Sequence, residues 1–339
     1  MTALLEVRDL TVRFPTPDGP VHAVDGVSLS IERGETLGVV GESGSGKSVT
    51  FLTVMGLTDR RVAQVDGEVR LAGRDLLGAG ADELRALRGE SVAMVFQDPM
   101  TALHPMYRVG DQIAETVRAH RGVDRRAAGA AAVAALESVG IPSPAERARQ
   151  YPHELSGGMR QRAMIAMALV LEPELLIADE PTTALDVTVQ AQILELLAEM
   201  QDRLGLAVVL ITHDLGIVAE AASRVMVMYA GRIVEEGTRE QVFGAPRHPY
   251  TWGLLDSVPR GGAGAARLVP IPGAPPSLIR VPPGCAFHPR CAHRVDACVS
   301  ERPVLAPGGD GHAAACLLAP EAARALADDR RARREGAAA

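Results

Sequence analysis

The first thirty residues of the chain alternate apolar and polar side chains in two runs. These runs, Leu4–Phe14 and Val21–Ile31, have the period of two that is typical of half-buried strands. The segment Pro15–Pro20, rich in Pro, Gly and Asp, forms a turn between them. The pattern therefore predicts an antiparallel pair of strands at the start of the chain.

Four later segments are short and almost continuously apolar, which is typical of buried parallel strands. They are Thr36–Val40, Val92–Phe96, Leu175–Ala178 and Ala207–Ile211. Polar residues follow each strand in turn: Gly41–Ser48, Gln97, Asp179–Glu180 and His213. In open α/β sheets, ligands bind outside the carboxyl ends of the strands. We therefore expect an α/β fold in which these polar residues share one site.

The rest of the chain divides into a helical insert, two later strands and a different C-terminal part. Residues ~101–160 are predicted to be mostly helical, with Arg125–Val139 as the clearest helix, and Arg224–Tyr229 and Arg232–Glu235 as strands. Pro and Gly become frequent between residues 259 and 283, which places a boundary near residue 258. The last residues, 320–339, are charged and alanine-rich and predict a helix or a frayed tail.

Composition and charge exclude several classes of protein. A formal net charge of −7 argues against a generic nucleic-acid binder, which needs a basic surface. The sequence has no run of 18 apolar residues and no N-terminal secretory signal, so we expect a protein of the cytoplasm without spanning segments. Lys47 is the only lysine among 35 Lys and Arg residues, which favours a position that needs a compact ammonium group. A GC-rich genome that replaces lysine by arginine is the alternative explanation.

The clearest motif follows the first buried strand and matches the phosphate-loop pattern G-x-x-x-x-G-K-[ST]. It consists of Gly41, Glu42, Ser43, Gly44, Ser45, Gly46, Lys47 and Ser48. Its glycines let backbone N–H groups point at phosphate oxygens, and the following apolar helix, Val49–Leu57, adds its positive end. Lys47 would contact the β- and γ-phosphates, and Ser48 would ligate Mg²⁺. The alternative, a flexible Gly/Ser turn, does not require the strand and helix that flank the motif.

A second motif ends the strand Leu175–Ala178 with two acids, Asp179 and Glu180. In phosphate-loop ATPases an aspartate at this place holds Mg²⁺, directly or through water. The adjacent glutamate would orient or activate the attacking water. A solvated acidic strand end is the alternative for this motif taken alone, and the phosphate loop strengthens the catalytic interpretation.

A third motif identifies the family. The segment Leu155–Arg162, with Ser156, Gly157 and Gly158 at a helix start, resembles the signature of ABC ATPases. Companion motifs support the resemblance: Gln97 is similar to the Q-loop, Ala184-Leu185-Asp186 to the D-loop, and His213 to the H-loop. Phe14 stands where the family has an aromatic residue that stacks on adenine. Met159 departs from the commonest signature, which has Gln there.

The resemblance implies a phosphate-loop core with an antiparallel β-subdomain and a helical subdomain over residues 1–258. It implies an ATPase with ATP and Mg²⁺ as ligands, in which Lys47, Gln97, Glu180 and His213 serve hydrolysis and Ser48, Gln97 and Asp179 hold Mg²⁺. Val49 would also contact the nucleotide. Family members pair head to tail, so the phosphate loop of one subunit meets the signature of a second, identical or related subunit. The segment from Gln97 through 98–105 would dock on two transmembrane permease subunits.

The C-terminal part resembles that of oligopeptide, dipeptide and nickel importer ATPases, through His248-Pro249-Tyr250-Thr251 and Phe287-His288-Pro289-Arg290-Cys291. The C-terminal region itself is placed at residues 259–319, and the resemblance implies an extracytoplasmic substrate-binding protein as a further partner. It also implies a location at the cytoplasmic face of the bacterial membrane. Nickel or another small solute stays open as the cargo, as do a soluble ABC ATPase acting on nucleic acid or ribosomes and an exporter ATPase.

All cysteines of the chain lie in this C-terminal part, at Cys285, Cys291, Cys298 and Cys316. Disulfides are rare in a reducing cytoplasm, and clustered thiols there indicate a metal. The usual C-x₂-C spacing of zinc sites is missing. Some peptide-importer ATPases carry a [4Fe–4S] cluster in this region, and the resemblance extends to these cysteines. Zinc and unligated thiols stay open as alternatives.

Overall fold

The computed structural model describes residues 3–183, 185–257, 270–308 and 310–336. The strands in this part of the chain are β1 (Leu5–Phe14), β2 (Val21–Ile31), β3 (Thr36–Val40), β4 (Gln64–Leu71), β5 (Arg74–Asp75), β6 (Val92–Val95), β7 (Leu175–Asp179), β8 (Ala207–Thr212), β9 (Arg224–Tyr229), β10 (Arg232–Thr238), β11 (Ala306–Pro307) and β12 (Ala313–Ala314). The predicted strands therefore all form, with bounds that differ by a residue or a few.

The helices of the described residues alternate with the parallel strands and also form a separate group between β6 and β7. They are α1 (Lys47–Val54), α2 (Ala81–Glu90), α3 (Pro99–Ala102), α4 (Val109–Arg121), α5 (Arg125–Ser138), α6 (Pro144–Arg147), α7 (Gly157–Leu169), α8 (Val187–Leu204), α9 (Leu215–Ala221), α10 (Arg239–Gly244), α11 (Pro249–Asp256), α12 (Ala297–Ser300) and α13 (Pro320–Gly336). The helical insert predicted between two strands is confirmed. None of the described helices combines the length and the apolar character needed to cross a bilayer.

The strands form two sheets. The first has the order β2-β1-β4-β5 and is antiparallel, so the predicted pairing of the first two strands is confirmed. The second has the order β11-β12-β10-β9-β3-β8-β7-β6, and its pairs β9–β3, β3–β8, β8–β7 and β7–β6 are parallel. The carboxyl ends of β3, β6, β7 and β8 therefore meet at one edge of the second sheet.

The parallel strands supply the centre of the core. Every residue of β3, β6, β7 and β8 is buried, which explains their continuous apolar runs. One apolar cluster joins the first sheet to one side of these strands, and another joins α4, α5, α7 and α8 to the rest. Buried Val, Leu and Ile fill both clusters, as expected from a sequence with 47% hydrophobic but only 3% aromatic residues. This packing holds the strand ends in a fixed arrangement.

The C-terminal region is attached to the second sheet by strand pairing and by a buried contact between two side chains. Ala313 and Ala314 of β12 pair with β10, beside Glu235. The Nε2 atom of His312 lies 2.8 Å from a Glu235 carboxylate oxygen, and both side chains are almost inaccessible to solvent. The boundary predicted near residue 258 lies outside the described residues.

Candidate functional site

The phosphate-loop motif forms a tight turn between β3 and α1. Gly46 has a φ of +100°, and a Cβ atom there would lie 2.4 Å from the carbonyl oxygen of Ala23. A Cβ atom at Gly41 would lie 2.2 Å from the carbonyl oxygen of Met228 on β9. Only glycine fits at these places, because any side chain would collide with backbone. The turn is also tied to the sheet by the N–H of Gly231, which donates to the carbonyl oxygen of Ser45 at 2.9 Å.

The helix α1 begins at Lys47, directly at the end of this turn. No side chain caps its N-terminus, so the N–H groups of its first turn are directed at the space above the loop. Lys47 is buried, and its ammonium group donates to the carbonyl oxygens of Gly41 at 2.8 Å and Glu42 at 3.0 Å. Burial lowers the pKa of Lys47, although the nearby acids Glu180 and Asp179 oppose this. The turn thus combines free N–H groups with a positive charge, as an anion site requires.

Ser48 and Asp179, both predicted to hold Mg²⁺, lie next to each other. The Ser48 hydroxyl donates to the Asp179 carboxylate at 3.1 Å. Burial raises the pKa of Asp179, and the bond from Ser48 acts against this shift. Asp179 is the last residue of β7 rather than the residue after it, because its backbone continues the pairing with Ile211. Two oxygen donors at this spacing suit a hard cation such as Mg²⁺.

Glu180 is the point at which the other predicted site residues meet. Its carboxylate accepts from the amide of Gln97 at 2.8 Å and lies 3.1 Å from Nδ1 of His213. Because a carboxylate can only accept, Nδ1 carries the proton in this contact. Gln97 is also predicted to ligate Mg²⁺, and this role stays a prediction beside its hydrogen bond to Glu180. The structure therefore joins three separate strand ends through one carboxylate.

The surroundings of Glu180 keep its carboxylate charged. Burial by itself would raise the pKa, but hydrogen bonds from His213 and Thr183, together with the charge of Lys47, lower it below its usual range. The backbone of Glu180 has a φ of +48°, an uncommon conformation for a residue with a side chain. Such strain is maintained only where the surroundings fix it, here by the bond from the Glu180 N–H to the carbonyl of Ile211 at 2.8 Å.

The signature residues begin a helix in a different part of the chain. Ser156 caps α7, with its hydroxyl accepting from the N–H of Met159 at 3.3 Å. A Cβ atom at Gly158 would lie 3.0 Å from Val189 of α8, and one at Gly157 would lie 3.9 Å from Leu185. The described contacts of these residues thus lie with the helical insert and α8, and not with the phosphate loop of the same chain.

The remaining companions take less specific positions. Phe14 ends β1, is partly buried and packs against the core of the first sheet. Of the predicted D-loop, Ala184 lies outside the described residues, Leu185 packs against the helical cluster, and Asp186 caps α8 through the N–H of Val189 at 3.0 Å. The site roles of Phe14, Ser156 and the D-loop stay predictions.

The four cysteines lie in the C-terminal region, buried or partly buried, and none of them forms a disulfide among the described residues. Burial raises the pKa of Cys316 to about 11, and the charges of Cys285, Cys291 and Cys298 add to this shift. A backbone group of Leu318 acts in the opposite direction. Among the described residues, no three His, Cys, Asp or Glu side chains form a group that could hold a single metal ion. The described residues thus give no support for a metal group at these cysteines, and their ligation stays a prediction.

The sequence interpretation missed three contacts of the site. Thr183 donates to Glu180 at 2.9 Å, and Tyr250 and Arg290 both bind Glu42 in the phosphate loop. The hydroxyl of Thr183, three residues after Glu180, is a local signal that could have been used. Tyr250 and Arg290 belong to motifs that were noticed, but their partner lies more than 200 residues away in sequence.

Comparison with known proteins gives a consistent result. The family described as ABC transporter matches residues 24–183, and the family described as Oligopeptide/dipeptide transporter, C-terminal region, matches residues 234–298. The dipeptide transport ATP-binding protein DppD of Bacillus subtilis is 51% identical over 319 residues, which cover 94% of this chain and 95% of that protein. The oligopeptide transport ATP-binding protein OppD of Haemophilus influenzae is 49% identical over 321 residues, covering 95% and 99%.

Solved structures with a similar fold agree with these sequences. An ATP-binding cassette in a dimeric post-hydrolysis state, bound to ADP and Pi, superposes with a TM-score of 0.62 at 26% identity, covering 69% of this chain and 98% of that chain. The cbiO1 protein from Clostridium perfringens, part of an ABC transporter complex, gives a TM-score of 0.61 at 30% identity, covering 72% and 92%.

Proposed function

The chain belongs to the ABC transporter ATPases, in the group of oligopeptide and dipeptide transport ATP-binding proteins, and from this we propose how its site works. It is the ATP-binding subunit of a peptide importer. Peptide is the cargo favoured over nickel or another solute, because the two relatives carry peptide transport in their names and the C-terminal match is to that family. The alternatives of an exporter and of a protein acting on nucleic acid have no support from these matches.

In the proposed mechanism, the loop Gly41–Ser48 binds the phosphates of ATP through its N–H groups and Lys47. Ser48 and Asp179 hold Mg²⁺, which when bound neutralises charge on the β- and γ-phosphates. Glu180, kept ionised, accepts a hydrogen bond from the attacking water and aligns it with the γ-phosphorus. His213 and Gln97 hold the Glu180 side chain in place.

The observation that carries this proposal is the meeting of Gln97, His213 and Glu180 beside the Ser48–Asp179 pair. The residues come from four different strand ends, and their contacts lie between 2.8 and 3.1 Å. A purely structural acidic strand end does not need an ionised glutamate bonded to an amide and an imidazole at the mouth of a phosphate loop.

A second ATPase subunit completes the proposed site. Ser156–Gly158 present a helix N-terminus away from the phosphate loop of their own chain, so a second copy or a related subunit is needed to bring them to the nucleotide. The dimeric ATP-binding cassette with ADP and Pi has the same fold, which supports this arrangement. The subunit pair would sit at the cytoplasmic face of the membrane on two permease subunits, supplied by an external substrate-binding protein.

The segment after Gln97 is the proposed contact with the permeases. Large side chains are substantially exposed on both sides of Gln97: Phe96 directly before it, and Met100, Met106 and Tyr107 shortly after it. Large apolar side chains grouped on a surface are typical of a protein interface. Because Gln97 binds Glu180, movement of this segment would reach the catalytic carboxylate directly.

For the C-terminal region we propose that Cys285, Cys291, Cys298 and Cys316 hold a [4Fe–4S] cluster with a structural role. The grouping of all four cysteines within one short part of the chain, which supplies a Cys₄ donor set, supports this. The change in composition near residue 258 supports a division into an ATPase part at 1–258 and a C-terminal region at 259–319. The family match to the C-terminal region begins earlier, at residue 234.

Binding of Mg²⁺–ATP to the purified chain tests the function most simply. We expect wild-type protein to bind a fluorescent ATP analogue and Lys47→Ala to lose most of this affinity, because the ammonium group in the loop is gone. Arg33→Ala is a matched control, since Arg33 carries the same charge at the opposite end of β3 and pairs with Glu174. Equal affinity in wild type and Lys47→Ala would contradict the proposed role of the loop.

A further inference from the structure

The second residue of the phosphate loop, Glu42, is held by side chains of the C-terminal region. Its carboxylate binds the Arg290 guanidinium through two hydrogen bonds, at 2.6 and 2.9 Å. Its backbone N–H donates to the Tyr250 hydroxyl at 2.8 Å. The two partners come from the His248-Pro249-Tyr250 and Phe287–Cys291 motifs, which have no place in the catalytic scheme above. Any effect of these motifs on the ATP site would therefore act through Glu42.

The Arg290 side chain is held by burial, by hydrogen bonds and by contacts with aromatic rings. Its side chain is 5% exposed, its Nε donates to the carbonyl oxygen of Pro272 at 2.9 Å, and its Nη1 donates to the Tyr229 hydroxyl at 3.3 Å. The guanidinium also lies over the rings of Tyr229 and Phe287, at 5.8 and 5.9 Å from their centres. Such a side chain has little freedom to follow a moving loop, so the loop is held to it.

Tyr250 is equally immobile. It is completely buried and packs against Tyr229 and Phe287, with ring centres 4.6 and 5.4 Å apart. The three aromatic rings form one packed group behind the phosphate loop, in a chain with few aromatic residues. Close packing leaves these rings no space to turn, so the Tyr250 hydroxyl keeps a fixed position beside the loop.

The charge of Glu42 gives the contact a second consequence. An acidic side chain in a loop that must receive a polyphosphate is unfavourable, since its charge opposes that of the ligand. Glu42 lies close enough to Lys47 to act on it electrostatically. The two hydrogen bonds from Arg290 neutralise this carboxylate and direct it away from solvent, with 26% of its side chain left exposed.

We infer that Arg290 and Tyr250 are positioning residues for ATP binding: they brace the phosphate loop through Glu42 and cancel its charge. The inference rests on ATP binding at Gly41–Ser48, as proposed above, but not on any group bound by the cysteines. It gives the C-terminal region a direct effect on the nucleotide site of its own chain, in addition to any role within the transporter.

The test measures the dissociation constant for a fluorescent ATP analogue in the full-length chain. We expect Arg290→Gln to weaken binding by on the order of tenfold, because the freed Glu42 charge then faces the phosphates. The double variant Glu42→Gln with Arg290→Gln should recover affinity to within about threefold of wild type, since neither charge remains. Arg302→Gln serves as the control: Arg302 lies in the same region and pairs with Asp25, outside the loop.

Two results would overturn the inference. One is an affinity of Arg290→Gln within about twofold of wild type, while wild type binds ATP and Lys47→Ala does not. The other is a double variant as weak as Arg290→Gln, which would show general damage rather than a charge effect. If Arg290→Gln does not fold, Tyr250→Phe decides, because it keeps the ring and removes only the hydroxyl that accepts from Glu42. Tyr250→Phe should lose affinity several-fold at unchanged melting temperature, and unchanged affinity there refutes the brace. Wild type without ATP binding would instead refute the proposed function.

Discussion

Replacing Glu180 by glutamine changes one charge at the centre of the site and almost nothing in shape. The carboxylate now accepts from Gln97, Thr183 and His213 at 2.8 to 3.1 Å. An amide in its place keeps one accepting oxygen but presents an N–H₂ group on its other side. That group can neither accept from a neighbouring donor nor take a proton from water. We therefore expect Glu180→Gln to lose hydrolysis and keep nucleotide binding.

The magnitude follows from the role of a positioned base. General-base assistance contributes about 10² to 10⁴ in rate, so kcat should fall about a thousandfold. This corresponds to about 4 kcal/mol of lost transition-state stabilisation, at about 1.4 kcal/mol for each factor of ten. The affinity for ATP should change by less than about threefold, because Lys47 and the N–H groups of α1 stay in place.

Steady-state phosphate release at saturating Mg²⁺–ATP, together with titration of a fluorescent ATP analogue, measures both quantities in the assembled transporter. Glu174→Gln provides the matched control, since Glu174 precedes the other end of β7 and pairs with Arg33. It removes the same charge from a residue that flanks the same strand and should leave kcat unchanged. A kcat for Glu180→Gln within about threefold of wild type would remove Glu180 from the mechanism. If kcat fell equally in Glu174→Gln, the loss would be explained by damage to the strand and not by the catalytic role of Glu180.

Two further predictions concern the second subunit and the cysteines. Ser156→Arg should abolish hydrolysis and leave ATP binding by the isolated chain intact, because Ser156 acts on the nucleotide of its partner; loss of binding in the monomer would refute the head-to-tail arrangement. Anaerobically purified protein should be brown with about four irons per chain, and Cys291→Ser should lose this iron and lower the melting temperature. Stoichiometric zinc would replace the cluster assignment, and metal-free protein with a folded C-terminal region would contradict both.

The sequence was most informative where apolar runs are long and buried on both faces. The strands at Thr36–Val40 and Ala207–Thr212 were predicted nearly to the residue, because parallel strands in the centre of a sheet have no solvent face to interrupt the pattern. The meeting of their polar ends was predicted by the same rule, and the contacts of Glu180 confirm it. To predict the chemistry at those strand ends, the residue types were needed as well as the order of the strands.

The strand β4 shows why other parts were missed. Only Val69 and Leu71 of its eight residues are buried, so Gln64–Leu71 has no alternation strong enough to distinguish it from a loop. Its pairing with β1 joins residues about sixty positions apart in the sequence, so no local signal announces it. Helix α1 was predicted to extend to Leu57 and ends at Val54, because Gly56 takes a φ of +63° that helices do not continue through.

Contacts between residues far apart in the sequence could not be predicted from the hydrophobic pattern or from the motifs. Nothing in the residues around Glu42 indicates that Arg290 and Tyr250 will bind it, since the pairing depends on how the C-terminal region docks beside β9. The same holds for the buried pair of His312 and Glu235, which joins β10 to the last described strand. Such contacts require the full fold, because sequence separation gives no measure of distance in space.

Uptake of a labelled dipeptide into vesicles tests the central claim most directly. The vesicles would contain the permeases, the binding protein and this chain, with Mg²⁺–ATP supplied on the side of the ATPase. The account predicts ATP-dependent peptide accumulation with the wild-type chain and none with Glu180→Gln, while labelled nickel is not accumulated in either case. Accumulation of peptide that is equal for wild type and Glu180→Gln, or that occurs without ATP, would contradict it.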